Sequence, residues 1–341
     1  MTRPKFDITA IGDAIVDVIA TCDDAFLVEH RLPKGSMQLL APDEAERLYE
    51  AMGSAQETSG GSAANSMAGI AALGGRAAFI GQVADDQLGA IFRHDMTALG
   101  VAFDTPALNG SGPPTGRCLI LVTPDAQRTM NTCPGASHEL TADSLDEALI
   151  ADSAILYLEG YLWGPEKPRS AMHRAVEVAH GAGREIAFTL SESVCIAGRR
   201  EGFERMIADG GIDLLFANEH EAMQLTGTPS LEAAVGALRG RVPTLVVTRG
   251  PKGAMGIVEG ETVEVPAAPV DKVVDTTGAG DLFAAAYVWA DLRGASALER
   301  LGWSVMYASL SVGVSTAIAG AATLEALAAA GERFGLGSPG F

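Results

Sequence analysis

Asp275-Thr276-Thr277-Gly278-Ala279-Gly280-Asp281 runs directly into an apolar segment, Leu282-Phe283-Ala284-Ala285-Ala286-Tyr287-Val288-Trp289-Ala290. Glycines and small residues just ahead of a helical run let the backbone turn tightly, so that several N–H groups converge on one point. The first amides of a helix lack intrahelical acceptors, and the dipole end there is positive, so such a turn suits an anion. Asp281 adds a carboxylate in the first turn, beside where that anion would sit. A phosphate held next to a carboxylate that can take a proton from a hydroxyl is the least that phosphorylation of an alcohol requires.

Outward from this turn the chain alternates between short apolar runs and longer helical periodicities. Strands are expected at 6–12, 77–80, 154–158, 185–189, 214–217 and 244–248, and helices at 62–73, 86–99, 168–182 and 231–239. That alternation implies a parallel sheet covered by helices on both faces. Four further segments, 15–20, 36–40, 117–122 and 128–132, alternate with period two and have no helix between the members of each pair. They predict a small antiparallel sheet built from two insertions. The expected fold is therefore α/β, with a mostly parallel central sheet in a large unit (1–12, 43–112 and 134–341) and a small β-sheet lid (13–42 and 113–133). A lid of this kind expels water that would compete as phosphoryl acceptor. Residues 335–341 read as a flexible tail.

The 341 residues carry a formal net charge of −19 and are 48% hydrophobic, enough for a sizeable core. No basic run exists to neutralise a nucleic-acid backbone, so a nucleic-acid partner is not expected. Acidity does not exclude a nucleotide substrate, because local amides and Mg2+ can hold a triphosphate on an acidic protein. The cysteines Cys22, Cys118, Cys133 and Cys195 are scattered, which suits a reducing cytoplasm and gives no zinc pattern. Residues 1–7 lack the apolar core of a signal peptide. Residues 303–324 contain no charge and are long enough to span a bilayer, but Ser, Thr, Gly and Ala dominate them. A buried helix ending in a turn around Gly320 is expected there, and no membrane contact.

Several other constellations bear on chemistry. Ser59-Gly60-Gly61-Ser62-Ala63-Ala64-Asn65 opens a second helix. It is either a capped turn or a site where backbone and the Asn65 amide meet a polyol. Asp13 and Asp17 flank Ile15 after the first strand, as solvated acids or as ligands for hydroxyls. Asn218-Glu219-His220-Glu221 follows a strand at its carboxyl end, where ligands collect in open parallel sheets. These residues either order the water shell of Mg2+ or cap a helix. Thr248-Arg249-Gly250 and Gly253 close the next strand, lining a nucleotide or forming a turn. Arg128 stands in a lid strand, either as an edge charge or as a cation able to reach a transferring phosphate. The Lys and Ser/Thr of a Walker A loop are absent, as Asp281 and Leu282 occupy their places, and no G-x-G-x-x-G opens the first unit.

The motif ending in Asp281 resembles the C-terminal signature of the ribokinase-like (PfkB) carbohydrate and nucleoside kinases. Gly60–Asn65 resembles their N-terminal signature, and Asn218-x-x-Glu221 their magnesium-associated motif. The likeness spans about 6 to 327. Within that family the stretches 36–41, 114–118, 188–191 and 213–219 are most similar to the adenosine kinases. The resemblance implies Asp281 as general base, Gly278, Ala279 and Gly280 as anion hole, and Arg128 as a neutralising cation. It places Asp17, Gly61 and Asn65 on the hydroxyls of a ribose, Gln38 and Leu40 with Tyr161 or Leu162 against a base, and Asp13, Ile15 and Gly60 elsewhere in the substrate site. Asn218, Thr248, Gly250, Gly253 and Thr277 would line ATP, Glu221 would hold Mg2+ through water, and Asp275 with Thr277 would bind an activating K+. The implied activity is ATP- and Mg2+-dependent phosphorylation of the 5′-hydroxyl of a ribonucleoside, adenosine first. The alternatives are a PfkB-type kinase of ribose or a keto-deoxy sugar, or a silent ligand-binding homologue. A monomer is expected over a homodimer, and a cytoplasmic location. Asp13 is the form commoner in sugar kinases, the aromatic residue expected near 194–196 is missing, and Glu159 adds an acid near the acceptor pocket.

Overall fold

Thirteen strands are distributed over two sheets in the computed structural model, which describes residues 3–125, 127–270, 272–313 and 321–333. In chain order they are β1 (Phe6–Ile11), β2 (Ile15–Thr21), β3 (Met37–Leu39), β4 (Gln56–Gly60), β5 (Ala77–Ile80), β6 (Gly116–Val122) and β7 (Arg128–Cys133). Then follow β8 (Ser153–Glu159), β9 (Glu185–Thr189), β10 (Leu214–Asn218), β11 (Thr244–Thr248), β12 (Ala254–Val258) and β13 (Glu261–Val265).

The larger sheet has the order β13-β12-β11-β10-β9-β8-β1-β5. From β11 to β5 every pair is parallel, and β12 and β13 add an antiparallel edge. Its central strands bury apolar side chains on both faces because both faces are covered. In β8, Ile155 and Tyr157 enter one core with the Ala279–Asp291 helix, while Leu156 and Leu158 enter the other with the Glu166–Gly181 helix. The mostly parallel sheet with helices on both faces is as expected.

The smaller sheet, ordered β3-β7-β6-β2-β4, departs from the expected antiparallel arrangement. β2/β4 and β6/β7 are antiparallel, but β2/β6 and β3/β7 are parallel. A parallel neighbour needs a long crossover, and residues 22–115 supply the one between β2 and β6. β4 joins this sheet although the division above leaves it in the large unit. Its sequence, Gln-Glu-Thr-Ser-Gly, shows no apolar alternation.

Alternation in the smaller sheet sends Val16, Val18, Leu119 and Leu121 into a core shared with Leu27, Ala45 and Leu48 of the helices Asp24–Glu29 and Pro42–Ala51. Ile15, Cys118 and Ile120 point to the opposite side and form a separate apolar cluster with Ile19, Val122 and Met130. The helix Ala297–Ser311 buries Leu301, Trp303, Met306 and Tyr307. Among the described residues no helix is long and apolar enough to cross a membrane. The turn expected around Gly320 and the tail at 335–341 lie outside the described residues.

Candidate active site

Two helices begin against each other. Gly278, with φ of +76°, caps the Ala279–Asp291 helix, so Ala279, Gly280 and Asp281 form its first turn. The Ser62–Ala72 helix starts opposite, capped by Gly61 with φ of +94°. Its first residues grip Asp281: Ser62 Oγ donates to Oδ1 at 2.7 Å, and Asn65 Nδ2 donates to Oδ2 at 2.9 Å. Ser66 Oγ donates to the Asp281 carbonyl at 3.1 Å. Burial pushes the Asp281 carboxyl above its ordinary range, and the Ser62 and Asn65 hydrogen bonds oppose that rise.

The glycine pair ahead of the second helix is dictated by space. A Cβ on Gly61 would overlap the Asp13 carbonyl oxygen, and one on Gly60 would stand 2.6 Å from the Asp17 carboxyl. Asp13 is 6% exposed and accepts a hydrogen bond from Ser137 Oγ at 2.8 Å, while burial raises its carboxyl. Asp17 is pushed up to about 7 by burial, opposed by the Arg128 charge and reinforced by Asp281 and Asp275. Asp17, Arg128, Asp275 and Asp281 therefore share one electrostatic neighbourhood. Arg128 itself rests on Asp275, with Nη1 3.0 Å from Oδ2. Asp275 Oδ1 accepts the Thr277 amide at 3.0 Å, so the carboxylate expected to hold a monovalent cation holds a guanidinium here.

Glu159, noted in the sequence only as an added acid, is the buried joint of the site. It is fully buried at the carboxyl end of β8. Oε1 accepts the Asp13 amide at 2.6 Å and Oε2 the Ala63 amide at 2.7 Å. Burial, then the nearby Asp13 charge, pushes its carboxyl well up, against those two amides. The available sequence signal was its position, an acid ending a buried parallel strand just before Gly160.

Three expected base contacts are placed differently. In β3, Gln38 pairs with Asn131 and its Nε2 donates to Asn131 Oδ1 at 2.7 Å, on the side away from Asp17. Leu40 packs against the outer core on that same side. Met37 and Leu39 pair with Met130 and Thr132 and so share the face of Asp17 and Arg128, with Leu39 66% exposed. Leu162 is fully buried in the far core with Ile11, Leu158 and Trp163, because the one-turn helix Tyr161–Trp163 aims it there. Tyr161 instead lies in the field of Glu192, Asp281 and Glu159, and burial pushes its hydroxyl well up. Ile15 belongs to the apolar cluster on the Asp17 face.

At the carboxyl ends of β10 and β11, Asn218 and Thr248 are register partners. Glu221 and Asn218 form a reciprocal cap. The Asn218 amide donates to Glu221 Oε2 at 2.9 Å, Asn218 Nδ2 to Oε1 at 2.6 Å, and the Glu221 amide to Asn218 Oδ1 at 2.9 Å. Burial raises the Glu221 carboxyl to about 7. Gly250 opens a one-turn helix and Gly253, with φ of +89°, packs against the start of the next loop. Among the described residues no group of three or more His, Cys, Asp or Glu side chains is placed to hold a metal ion.

The family described as pfkB family carbohydrate kinase matches this chain over residues 6–324. An adenosine kinase structure from Sinorhizobium meliloti is 43% identical and covers 97% of this chain and 99% of its own, with a TM-score of 0.87. A structure of a probable sugar kinase protein from Rhizobium etli CFN 42 is 38% identical, covering 98% and 99%, with a TM-score of 0.88. Among curated relatives, the guanosine-inosine kinase of Escherichia coli (strain K12) is 27% identical over 256 residues. That match takes in 72% of this chain but only 58% of the relative's length. Fructokinase-1 of Zea mays is 30% identical over 276 residues, 77% of this chain and 83% of the relative.

Proposed function

We propose that this chain, which belongs to the pfkB family of carbohydrate kinases, uses ATP and Mg2+ to phosphorylate the 5′-hydroxyl of a ribonucleoside, adenosine first among them. The observation that carries this reading is the Asp281 carboxylate, braced by Ser62 and Asn65 in the first turn of a helix that a glycine turn opens. Asp281 takes the acceptor's proton, the amides of Gly278, Ala279 and Gly280 receive the phosphoryl oxygens, and Arg128 leaves Asp275 to reach the transferring group. Positioning and electrostatics carry most of the rate in such a transfer. Mg2+, when bound, neutralises the triphosphate, and the Asn218–Glu221 cap would hold it through water, in keeping with the ion's reluctance to dehydrate.

The acceptor is argued from the smaller sheet. Its face toward Asp281 is apolar, with Ile15, Met37, Leu39 and Met130 beside the polar pair Asp17 and Arg128. A nucleobase buries such a wall while its ribose lies against Asp17, Gly61 and Asn65; a free sugar would leave the wall wet. The similarity to an adenosine kinase at 43% identity points the same way. The buried Asp13 and the fructokinase relatives favour a second reading, a sugar kinase on the same frame. A panel of ribonucleosides and free sugars in a coupled ADP-release assay separates the two. ADP is expected with adenosine and related nucleosides, whereas turnover of free sugars alone would assign the protein to the second class.

A further inference from the structure

We infer that Ser62 is the positioning residue of the reaction centre, holding Oδ1 of Asp281 so that Oδ2 is the oxygen that accepts the substrate's proton. The inference rests on the proposed role of Asp281. Its basis is an asymmetry between the two hydrogen bonds on that carboxylate. Ser62 is the first residue of its helix, and its backbone is fixed on three sides. Gly61 is closed against the Asp13 carbonyl, the Ala63 amide is tied to Glu159 Oε2 at 2.7 Å, and the Ser62 carbonyl accepts from Ser66 Oγ at 3.2 Å. On this fixed backbone the short serine side chain reaches Oδ1 at 2.7 Å.

Asn65 is different. It lies one turn on, and its longer amide both donates and accepts. As a ribose-binding group it turns toward the acceptor's hydroxyls and leaves Oδ2 an open lone pair. The acceptor oxygen then bonds to the γ-phosphorus while the bond from that phosphorus to the β–γ bridging oxygen breaks, and the hydroxyl proton goes to Oδ2. Ser62 keeps Oδ1 engaged throughout, which fixes the carboxylate's rotation about its Cβ–Cγ bond.

A donor on Oδ1 also favours the charged carboxylate against burial, so its loss shifts the pH at which the base becomes available. The other groups in the field of Asp281 are Asp17 on β2, Tyr157 and Glu159 on β8, and Tyr161 just beyond. Arg128 and Asp275 act on Asp17. None of these is altered by a change at Ser62, which makes the acidic limb of the rate profile a specific readout.

The test compares wild type, Ser62→Ala, Ser62→Thr and Asp281→Asn with ATP and adenosine, measuring kcat and KM across pH. For Ser62→Ala, kcat should fall about tenfold, the value of one charge-assisted hydrogen bond, and the acidic limb should move up by about one pH unit, with KM for adenosine within about threefold. Ser62→Thr keeps the hydroxyl and should restore both kcat and the limb. An unshifted limb with normal kcat in Ser62→Ala, or a Thr variant as impaired as the Ala one, overturns the assignment of Ser62 while leaving Asp281 as base. Normal turnover by Asp281→Asn overturns both.

Discussion

Gly280→Ala adds one methyl group to the second residue of the helix whose first turn carries Asp281. A Cβ built on Gly280 meets no heavy atom within 4 Å, and its φ is not positive, so the fold itself does not require glycine there. Alanine exceeds glycine in helix preference by about 0.8–1 kcal/mol, so stability should stay level or rise by up to about 1 kcal/mol, roughly 1–2 °C in Tm for a chain of this length. Activity should move the other way. The methyl stands beside amides that would meet the phosphoryl oxygens, and losing one donor to a developing charge costs roughly 10²–10³ in kcat, about 2.7–4 kcal/mol. Calorimetry and ADP release on the same preparation give both numbers. A variant that melts no lower than wild type yet turns over at least about 30-fold more slowly is the expected result. Full turnover in Gly280→Ala would refute the idea that this turn receives the phosphoryl group.

Glu159→Ala should lower stability by about 2–6 kcal/mol, because the buried amides of Asp13 and Ala63 each lose their acceptor at about 1–3 kcal/mol. An unchanged urea midpoint would show that this carboxylate does not hold the two segments together. The Asp17 carboxyl is raised to about 7 in the folded protein, so between about pH 4 and pH 7 the native state binds more protons than the unfolded chain. Its contribution to stability is therefore full at about pH 4 and lost as pH rises to about 7, after which it is flat. Melting profiles of wild type and Asp17→Asn, recorded without ligand, should differ by that slope; parallel profiles would contradict a raised Asp17 carboxyl.

The sheet of the large unit was readable because β1, β5, β8, β9, β10 and β11 are short apolar runs separated by helical periodicity, and their observed bounds fall within about a residue or two of expectation. β4, β12 and β13 are absent from the expected strands; β4 and β13 are largely polar, and only pairing with a neighbour makes them strands. The choice of Gln38 and Leu40 over Met37 and Leu39 turned on the register of a three-residue strand, where a shift of one position reverses every side chain. Leu162 was misplaced for a similar reason, since a single helical turn decides which of three consecutive residues faces the core. Both glycine turns were legible from local chemistry. The Ser62–Asp281 contact, spanning 219 residues, and the hold of Glu159 on two backbone amides were not, because neither depends on the type of its neighbours in sequence.

Turnover of Asp281→Asn with ATP and adenosine bears most directly on the proposed chemistry. Asparagine keeps the shape that Ser62 and Asn65 surround, so the variant should fold and retain adenosine binding, while kcat falls by at least about 10²-fold through loss of the general base. A folded Asp281→Asn protein that turns over within a few-fold of wild type would contradict phosphoryl transfer at this carboxylate.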